Sequence, residues 1–319
     1  MSLPKLFDTL RLPVVASPMF IISNPAMVIA QCTAGIVGSF PALNARPQEA
    51  LDGWLTEIEE ALDAHNQANP DSPAAPYAVN QIVHRSNDRL MADLETCVKH
   101  QVPIVITSLG AVEAVNEAVH SYGGIVLHDV INNRFAKKAI EKGADGLIAV
   151  AAGAGGHAGT LSPLALIGEI RSWFDGPLLL SGAISTGASI LAAQAMGADL
   201  AYMGSAFIAS KEANAEEAYK QMIVDCAADD IIYTDKFTGV YGNYLKPSLV
   251  ASGIDPAEIL KEERTAMDFA KASGSDAKAW KSIWGSGQGI GTVDKIDTIE
   301  DIVLRLTSEY NAARDRLLA

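Results

Sequence analysis

One histidine in the sequence stands where a reactive imidazole is expected. His157 lies among four glycines between residues 153 and 159, and an apolar segment at residues 146–152 comes directly before them. An apolar run that breaks into glycines is typical of a buried strand of a parallel sheet whose end opens into a loop. An imidazole at such a strand end can take a proton or stabilise a developing charge near neutral pH. His157 is therefore the predicted catalytic residue.

The other histidines and the lysines are weaker candidates for chemistry. His128 ends another predicted strand, where it fits the edge of a ligand site better than the role of base. Lys137 and Lys138 lie on a predicted helix rather than at a strand end, which disfavours a Schiff-base enzyme. No pair of His, Asp or Glu on one element has metal-ligand spacing, so no metal site is predicted. The histidines on predicted helices or loops, without a convergent partner, are His65, His84, His100 and His120.

The elements that position His157 are predicted to alternate between strand and helix. The first strand, helix and second strand are so close in sequence that the two strands must pair in parallel. Repetition of this unit eight times predicts a (β/α)8 TIM barrel, with a doubly wound open sheet as the main alternative. The predicted strands are residues 14–19, 36–40, 77–82, 104–109, 124–130, 146–152, 177–182 and 200–205. The third of them ends in polar residues where a buried strand would prefer apolar ones, which singles out Asn80.

The regular alternation ends after the eighth predicted strand. Residues 213–227, 256–272 and 298–318 have helical patterns, and residues 229–253 are polar and contain tyrosines. The block between the last strand and the terminal helix predicts a small helical cap inserted over the barrel mouth. The predicted division is a barrel at residues 1–212, the cap at residues 213–285, and a C-terminal segment and helix at residues 286–319.

Two short loops after the seventh and eighth strands predict a phosphate site. The first loop contains Ser181, Gly182 and Ala183, and the second contains Gly204 and Ser205. In TIM barrels, backbone N–H groups of these two loops commonly bind a phosphate. Glycine lets a ligand approach the backbone, and the Ser205 hydroxyl adds a donor. Two such loops together favour a phosphate-bearing ligand over glycines that only turn the chain.

Composition limits the partners and the compartment. The formal net charge is −14 and only 6% of residues are aromatic, so neither nucleic acid nor an anionic membrane surface fits the chain. A small-molecule substrate is expected instead. Cys32, Cys97 and Cys226 stand singly in apolar or helical contexts and predict reduced thiols. The sequence shows neither a signal-peptide core nor a long apolar run, which predicts a cytoplasmic location without a membrane span.

The sequence carries an ordered set of motifs along nearly its whole length. They are residues 154–159, 181–184, 196–199 and 203–207, with Ser17-Pro18-Met19 at the first strand and Gly285-Ser286-Gly287-Gln288-Gly289 near the end. This set is more specific than any single glycine loop, and it resembles that of the nitronate monooxygenase (2-nitropropane dioxygenase-like) family. The family is similar to the FMN-dependent enoyl-acyl-carrier-protein reductases, which share the barrel, the flavin and the glycine-flanked histidine.

The resemblance implies an FMN-dependent oxidoreductase that oxidises alkyl nitronates, such as propionate 3-nitronate, with dioxygen. It implies that His157 faces the reactive side of the flavin as a base or hydrogen-bond partner. The resemblance leaves open whether the protein forms a homodimer. The implied cofactor-binding residues are Ser17, Pro18, Met19, Asn80, His128, Gly155, Gly156, Ser181, Gly182, Ala183, Gly204 and Ser205, and the residues expected on the substrate side are Phe20, Tyr241, Tyr244 and Trp284. The two tyrosines fit either a lid over the mouth or packing anchors.

Three features depart from the family pattern. Gly153 and Ala154 stand where relatives often carry a glutamate, and Ala183 stands where they often carry a second glycine. Asp129 replaces a lysine that some relatives carry, which removes a cation that would stabilise reduced, anionic flavin.

Three alternative functions stay open from the sequence. One is an NAD(P)H-dependent flavin reductase that acts on quinones or enoyl thioesters. Another is a cofactor-free phosphosugar lyase or isomerase that uses the same phosphate loops. The last is a flavin-binding protein without catalytic activity.

Overall fold

The chain, described by a computed structural model over residues 3–259 and 282–319, is built on one sheet of eight parallel strands. A two-residue strand, β7 (Gly156–His157), intervenes in the sequence but belongs to another sheet. The strands of the parallel sheet are β1 (Val14–Ala16), β2 (Gly38–Pro41), β3 (Tyr77–Ile82), β4 (Ile104–Ser108), β5 (Ile125–Val130), β6 (Gly146–Val150), β8 (Leu178–Ser181) and β9 (Leu200–Met203).

Contacts between β1 and β2 close the sheet into a barrel. The strands are ordered β1-β9-β8-β6-β5-β4-β3-β2, so β1 and β2 are the two ends of the row. A parallel bridge joins Val15 to Val37, and the Ala16 N–H donates to the Val37 carbonyl over 2.8 Å. The predicted TIM barrel is therefore confirmed, and the open doubly wound sheet is excluded.

Helices between the strands form the outer layer of the barrel. Local sequence explains where several of them begin: Asn24 accepts from the Met27 N–H over 3.0 Å, and Thr186 caps its helix in the same way through Ser189. Pro25 fits the first helical position because that residue needs no N–H donor. The helices are α1 (Pro25–Thr33), α2 (Ala50–Ala68), α3 (Leu90–Lys99), α4 (Glu113–His120), α5 (Asn133–Glu141), α6 (Pro163–Arg171) and α7 (Gly187–Ala195).

Strand side chains alternate between the barrel interior and the helix layer. On β4, Ile104 and Ile106 pack in the interior cluster, whereas Val105 packs among the outer helices. All three are completely buried. Because branched side chains fill the interior, space for a ligand is found at the ends of the strands rather than along the barrel axis.

The segment after β9 contains strands as well as helices. Two antiparallel strands, β10 (Ile231–Thr234) and β11 (Gly242–Leu245), pair with each other, and β11 also pairs with β7. The sequence predicted a helical cap here; residues 260–272 of its predicted helix at 256–272 lie outside the described residues. The helices of this part are α8 (Ser205–Ile208), α9 (Glu217–Asp225), α10 (Lys246–Ala251), α11 (Pro256–Ile259) and, after a 3-10 turn at Gln288–Thr292, α12 (Ile299–Leu318).

The cysteines of the chain are buried. Cys32, Cys97 and Cys226 are all free and buried. Burial raises the pKa of Cys32 and of Cys97 to about 12, so both thiols stay protonated and inert.

Within the part of the chain that the structure describes, no helix has the length and apolar character needed to cross a membrane.

Candidate active site

A cavity of about 1030 Å³ opens at the carboxyl ends of the barrel strands. We call it the site cavity, and we call the residues that line it the wall. Ser17 follows β1, Ser181 ends β8 and Gly204 follows β9, so the loops at one end of the barrel build the wall. Pockets for small molecules commonly measure ~300–1,000 Å³, so the site cavity has room for a large cofactor together with a small substrate.

The site cavity brings together most of the residues singled out from the sequence. Twelve of them line its wall, namely Ser17, Pro18, Met19, Phe20, Asn80, Gly155, Gly156, His157, Ser181, Gly204, Ser205 and Trp284. Five others lie outside the wall, namely His128, Gly182, Ala183, Tyr241 and Tyr244.

His157 is held by two elements that are distant in sequence. Its backbone in β7 pairs with Gly242 of β11, which places the residue on a sheet of the post-barrel segment. Its Nε2 lies 2.9 Å from the Thr238 hydroxyl oxygen. Burial lowers the pKa of His157 to about 4, so the imidazole is neutral near neutral pH. A neutral imidazole in the wall can accept a proton or form a hydrogen bond to a ligand.

A row of hydrogen-bonded polar side chains crosses the floor of the site cavity, where β3, β4 and β5 end. Asn80 Nδ2 donates to the Ser108 hydroxyl oxygen over 2.8 Å and to the Ile106 carbonyl over 3.0 Å. The Asp129 carboxylate accepts from the Ser108 hydroxyl and from the Leu109 N–H. Burial raises the pKa of Asp129 to about 6 in spite of those two hydrogen bonds. The floor therefore carries a group that changes charge in mildly acidic solution.

Tyr202 continues the polar floor towards β1. Burial, and then the nearby Asp129 charge, raise the pKa of Tyr202 well above its ordinary value, while a hydrogen bond with Ser17 opposes the shift. The phenol therefore stays protonated and neutral. It is a hydrogen-bonding group of the wall rather than a charged one.

Two glycine-rich segments meet backbone to backbone beneath the wall. A Cβ on Gly287 would lie 2.7 Å from the Gly153 carbonyl oxygen, and a Cβ on Gly155 would lie 2.8 Å from the Gly287 nitrogen. The Gly287 N–H also donates to the Ser205 hydroxyl oxygen over 2.8 Å. Glycine is therefore needed at positions 155 and 287, where a side chain would collide with the facing backbone. Through this contact the motif at residues 285–289 supports the loops that carry His157 and Ser205.

The loop after β8 lies under the same glycine-rich segments. Ala183 has a φ of +53°, a left-handed conformation that is uncommon without glycine. Its N–H donates to the Gly153 carbonyl over 3.2 Å, and that carbonyl also accepts from the Gln288 N–H over 2.9 Å. Gly182 and Ala183 thus lie behind the wall, whereas Ser181 reaches it.

His128, Tyr241 and Tyr244 also lie away from the site cavity. The His128 Nδ1 lies 2.6 Å from the Thr107 hydroxyl on β4, and burial lowers the pKa of His128 to about 4. Tyr244 is 1% exposed and packs in a small apolar cluster of the post-barrel segment. Tyr241 stacks on Tyr233 with their ring centroids 5.0 Å apart. These positions are typical of packing anchors.

Aromatic rings line part of the site cavity. Trp284 stacks on Tyr219 with 4.8 Å between ring centroids and 6° between planes. The Arg46 guanidinium lies 5.2 Å from the centroid of the Phe20 ring, so a positive charge stands at the mouth. The mouth therefore suits a ligand with an apolar body and an anionic group.

Sequence reasoning missed several wall and support residues. Ser108 is a polar residue at the end of an apolar strand, the same signal that identified Asn80. Asp129 carries this signal too, but the sequence singled it out only as the replacement of a lysine. Tyr202 alternates with Ala201 along β9, so its inward position follows from the period of a strand. Thr238 carries no local signal, because only the folded chain brings it to His157.

Metal binding finds no support in the described ranges 3–259 and 282–319. No group of three or more His, Cys, Asp or Glu side chains there is arranged to hold a metal ion.

Comparison with solved structures identifies the same fold in two enzymes. FabK from Thermotoga maritima is 21% identical, with a TM-score of 0.79, and the match covers 99% of this chain and 99% of that chain. A nitroalkane oxidase from Streptomyces ansochromogenes is 22% identical, with a TM-score of 0.77, over 98% of this chain and 100% of that one. At these identities the likeness establishes the shared barrel.

Comparison of sequences establishes the family. A nitronate monooxygenase from Paraburkholderia phytofirmans is 28% identical over 306 residues, which cover 84% of this chain and 82% of that protein. A probable nitronate monooxygenase from Staphylococcus haemolyticus is 23% identical, over 75% of this chain and 68% of the relative. The nitronate monooxygenase family model matches residues 3–309. With a match over nearly its full length, this chain belongs to the nitronate monooxygenase family.

Proposed function

We propose that this protein is an FMN-dependent oxidoreductase that oxidises alkyl nitronates, such as propionate 3-nitronate, with dioxygen. The observation that carries the proposal is the position of His157. In a chain of this family, its neutral imidazole lines a large cavity together with Ser17, Gly204 and Ser205. This arrangement supports a reaction in which one neutral base faces a bound cofactor.

The residues of the wall fit FMN. A Cβ on Gly204 would lie 3.3 Å from the Ser17 Cβ, so glycine keeps open the space beside the loop after β1. The Ser205 oxygen already accepts from the Gly287 N–H, which leaves its hydrogen to donate to an anion such as a phosphate. Ser17, Pro18, Met19, Asn80 and Gly204 would hold the ring, and Ser181 and Ser205 the phosphate.

The division of chemical work follows from the groups in the site cavity. When bound, FMN supplies the acceptor for the electron pair of the substrate and the route of those electrons to dioxygen. His157 serves as base or hydrogen-bond partner of the substrate with a neutral ring, because its pKa is about 4. Phe20 and Trp284 at the mouth exclude water from the reacting groups.

An NAD(P)H-dependent reductase of quinones or enoyl thioesters is the second candidate. The observation that favours it is the Arg46 guanidinium at the mouth, beside the aromatic Phe20 ring. A guanidinium and an aromatic surface are the groups that bind the pyrophosphate and rings of a dinucleotide.

Anaerobic stopped-flow spectroscopy separates the two candidates. Purified protein is mixed with propionate 3-nitronate or with NADH, and bleaching of the yellow flavin band is followed. We expect the nitronate to bleach the band and NADH to leave it oxidised. Bleaching by NADH alone would establish the reductase instead. Colourless protein that releases no flavin on denaturation would contradict both candidates.

A further inference from the structure

Thr238 lies outside the barrel, yet its hydroxyl group contacts the predicted catalytic histidine. The Thr238 Oγ1 is 2.9 Å from the His157 Nε2, across 81 positions of the chain. Thr238 is only 4% exposed, so water does not compete effectively for this contact. The hydrogen bond links the post-barrel segment directly to the chemistry of the site cavity.

The small sheet of β7, β11 and β10 brings the two residues together. His157 pairs with Gly242 on β11, and Gly242 pairs with Thr234 on β10. Thr238 lies in the connection between β10 and β11, where the Gly239 N–H closes a turn on the Asp235 carbonyl over 2.8 Å. The position of Thr238 is therefore set by backbone hydrogen bonds on both sides of the connection.

The hydrogen bonds around the Thr238 oxygen indicate the direction of its bond to His157. The hydroxyl has one hydrogen, and the Val240 carbonyl, 3.1 Å away, can only accept. The Val240 N–H donates back to the Thr238 oxygen over 3.3 Å. With its hydrogen on the Val240 carbonyl and one lone pair facing the Val240 N–H, the Thr238 oxygen keeps one lone pair to accept from the His157 ring. This assignment places the proton of the neutral imidazole on Nε2.

We propose that Thr238 is a positioning residue that fixes the ring of His157 and keeps the imidazole proton on Nε2. A neutral imidazole protonated at Nε2 has its lone pair on Nδ1, so Thr238 determines which nitrogen acts as acceptor. A tautomer held before substrate arrives removes one unproductive state from the reaction. The catalytic consequence rests on the proposed function, whereas the tautomer itself does not.

Nitrogen-15 NMR of protein labelled at histidine tests the tautomer without substrate. The His157 signals are assigned by their loss in His157→Asn. In the unaltered protein at neutral pH, we expect Nε2 to show the shift of a protonated nitrogen and Nδ1 that of an unprotonated one. The opposite pattern would overturn the proposal without any variant of Thr238.

Variants of Thr238 test whether its hydroxyl is the cause. Thr238→Val keeps the shape but removes the acceptor, so we expect a mixture of the two tautomers, and Thr238→Ser restores the single tautomer. Thr234→Val is the matched control, because Thr234 is equally buried and its hydroxyl accepts from the Lys236 N–H instead. An unchanged tautomer in folded Thr238→Val would contradict the proposal.

Kinetics connect the tautomer to turnover. We expect Thr238→Val to lower kcat/KM for the nitronate about five- to tenfold, the worth of roughly one hydrogen bond, and Thr238→Ser to recover most of it. If the tautomer changes as expected but no variant oxidises nitronates, the proposed function fails and the positioning role stands. If nitronates are oxidised and Thr238→Val is as active as the unaltered protein, the catalytic importance of Thr238 is refuted.

Discussion

Asp129 places a titratable carboxyl group in the floor of the site cavity. From the sequence it is only the residue that replaces a lysine of some relatives. In the structure it accepts hydrogen bonds from Ser108 and Leu109 and stands near Tyr202. Its pKa of about 6 means that a negative charge develops there as the solution approaches neutrality. That charge disfavours a second anion in the cavity, including an anionic reduced cofactor.

Asp129→Asn should change how stability depends on pH. The pKa of Asp129 is raised from 3.8 to about 6, so the folded state binds the proton more tightly than the unfolded state does. This contribution to stability is complete below about pH 4 and is lost as the pH rises through about 6. We expect the unaltered protein to lose about 3 kcal/mol of unfolding free energy relative to the variant over that window. Urea denaturation of both proteins across the pH range measures the difference, and two parallel curves would contradict it.

His157→Asn should separate flavin binding from turnover. Asparagine keeps a polar group in the wall but cannot accept a proton, so we expect yellow protein whose nitronate turnover falls about 10²–10⁴-fold. His120→Asn is the control, because His120 pairs with Asp145 away from the cavity wall. Turnover is measured with propionate 3-nitronate, together with the flavin content of each preparation. Full activity of His157→Asn would remove the histidine from the mechanism.

The contact between residues 153–155 and residues 285–289 is the element that keeps the two wall loops in place. It depends on the absence of side chains, since backbone atoms of the two segments approach within hydrogen-bond distance. Residues 153–155 have no regular secondary structure, and of residues 285–289 only the last two belong to a 3-10 turn. Their mutual support therefore decides where His157 and Ser205 stand.

Gly287→Ala should disrupt that contact. The new Cβ would meet the Gly153 carbonyl oxygen at 2.7 Å, which the two backbones can relieve only by moving apart. We expect a loss of about 1–3 kcal/mol of unfolding free energy, as for other overpacked sites, and weaker retention of FMN. Gly168→Ala on α6 is the control, because nothing lies within 4 Å of its Cβ, and helical alanine adds about 0.5–1 kcal/mol. Equal stability of the two variants would show that the contact has no strict need for glycine.

The elements of the barrel are predictable because each one carries its own signal. Its strands are apolar runs, and caps such as Asn24 and Thr186 mark where helices begin. The sheet of β7, β10 and β11 is different. β7 is only Gly156 and His157, a pair with no strand propensity, and it exists because β11 lies beside it.

The site could be predicted where it depends on strand ends and not where it depends on tertiary contact. Asn80 and His157 were found because polar residues at the ends of buried strands mark a functional edge. Thr238 could not be found, since its partner is 81 positions away. The hydrogen bond from the Ala183 N–H to the Gly153 carbonyl could not be predicted either, because the residue type does not reveal the direction of a backbone N–H.

The whole molecule assembles its site from three parts of the chain. The barrel strands and the residues that follow them supply Ser17, Asn80 and Ser205, and the later segment supplies Thr238 and Trp284. Residues 285–289 support the loops that carry His157 and Ser205. The last helix, α12, then returns to pack on α7 of the barrel. The predicted domain boundaries at residues 212 and 285 stay a prediction, but the site depends on residues from all three divisions.

Gly187→Ala tests how strongly the return of α12 stabilises the molecule. A Cβ on Gly187 would lie 2.1 Å from the Tyr310 nitrogen and 2.3 Å from the Leu306 carbonyl oxygen, both on the backbone of α12. Because backbone atoms of a helix cannot turn aside as a side chain can, the alanine must push α12 away from α7. We expect a loss of about 3 kcal/mol or more of unfolding free energy, at the upper end for overpacking.

Hydrogen exchange distinguishes local release of α12 from general destabilisation. If the helix docks as a separate unit, its amide protons in Gly187→Ala should exchange much faster while those of β4 and β5 stay protected. Gly168→Ala, with an open space at its Cβ, should speed exchange in neither region. Uniform loss of protection in Gly187→Ala would mean instead that α12 and the barrel unfold together, so that the C-terminal helix belongs to the cooperative core of the molecule.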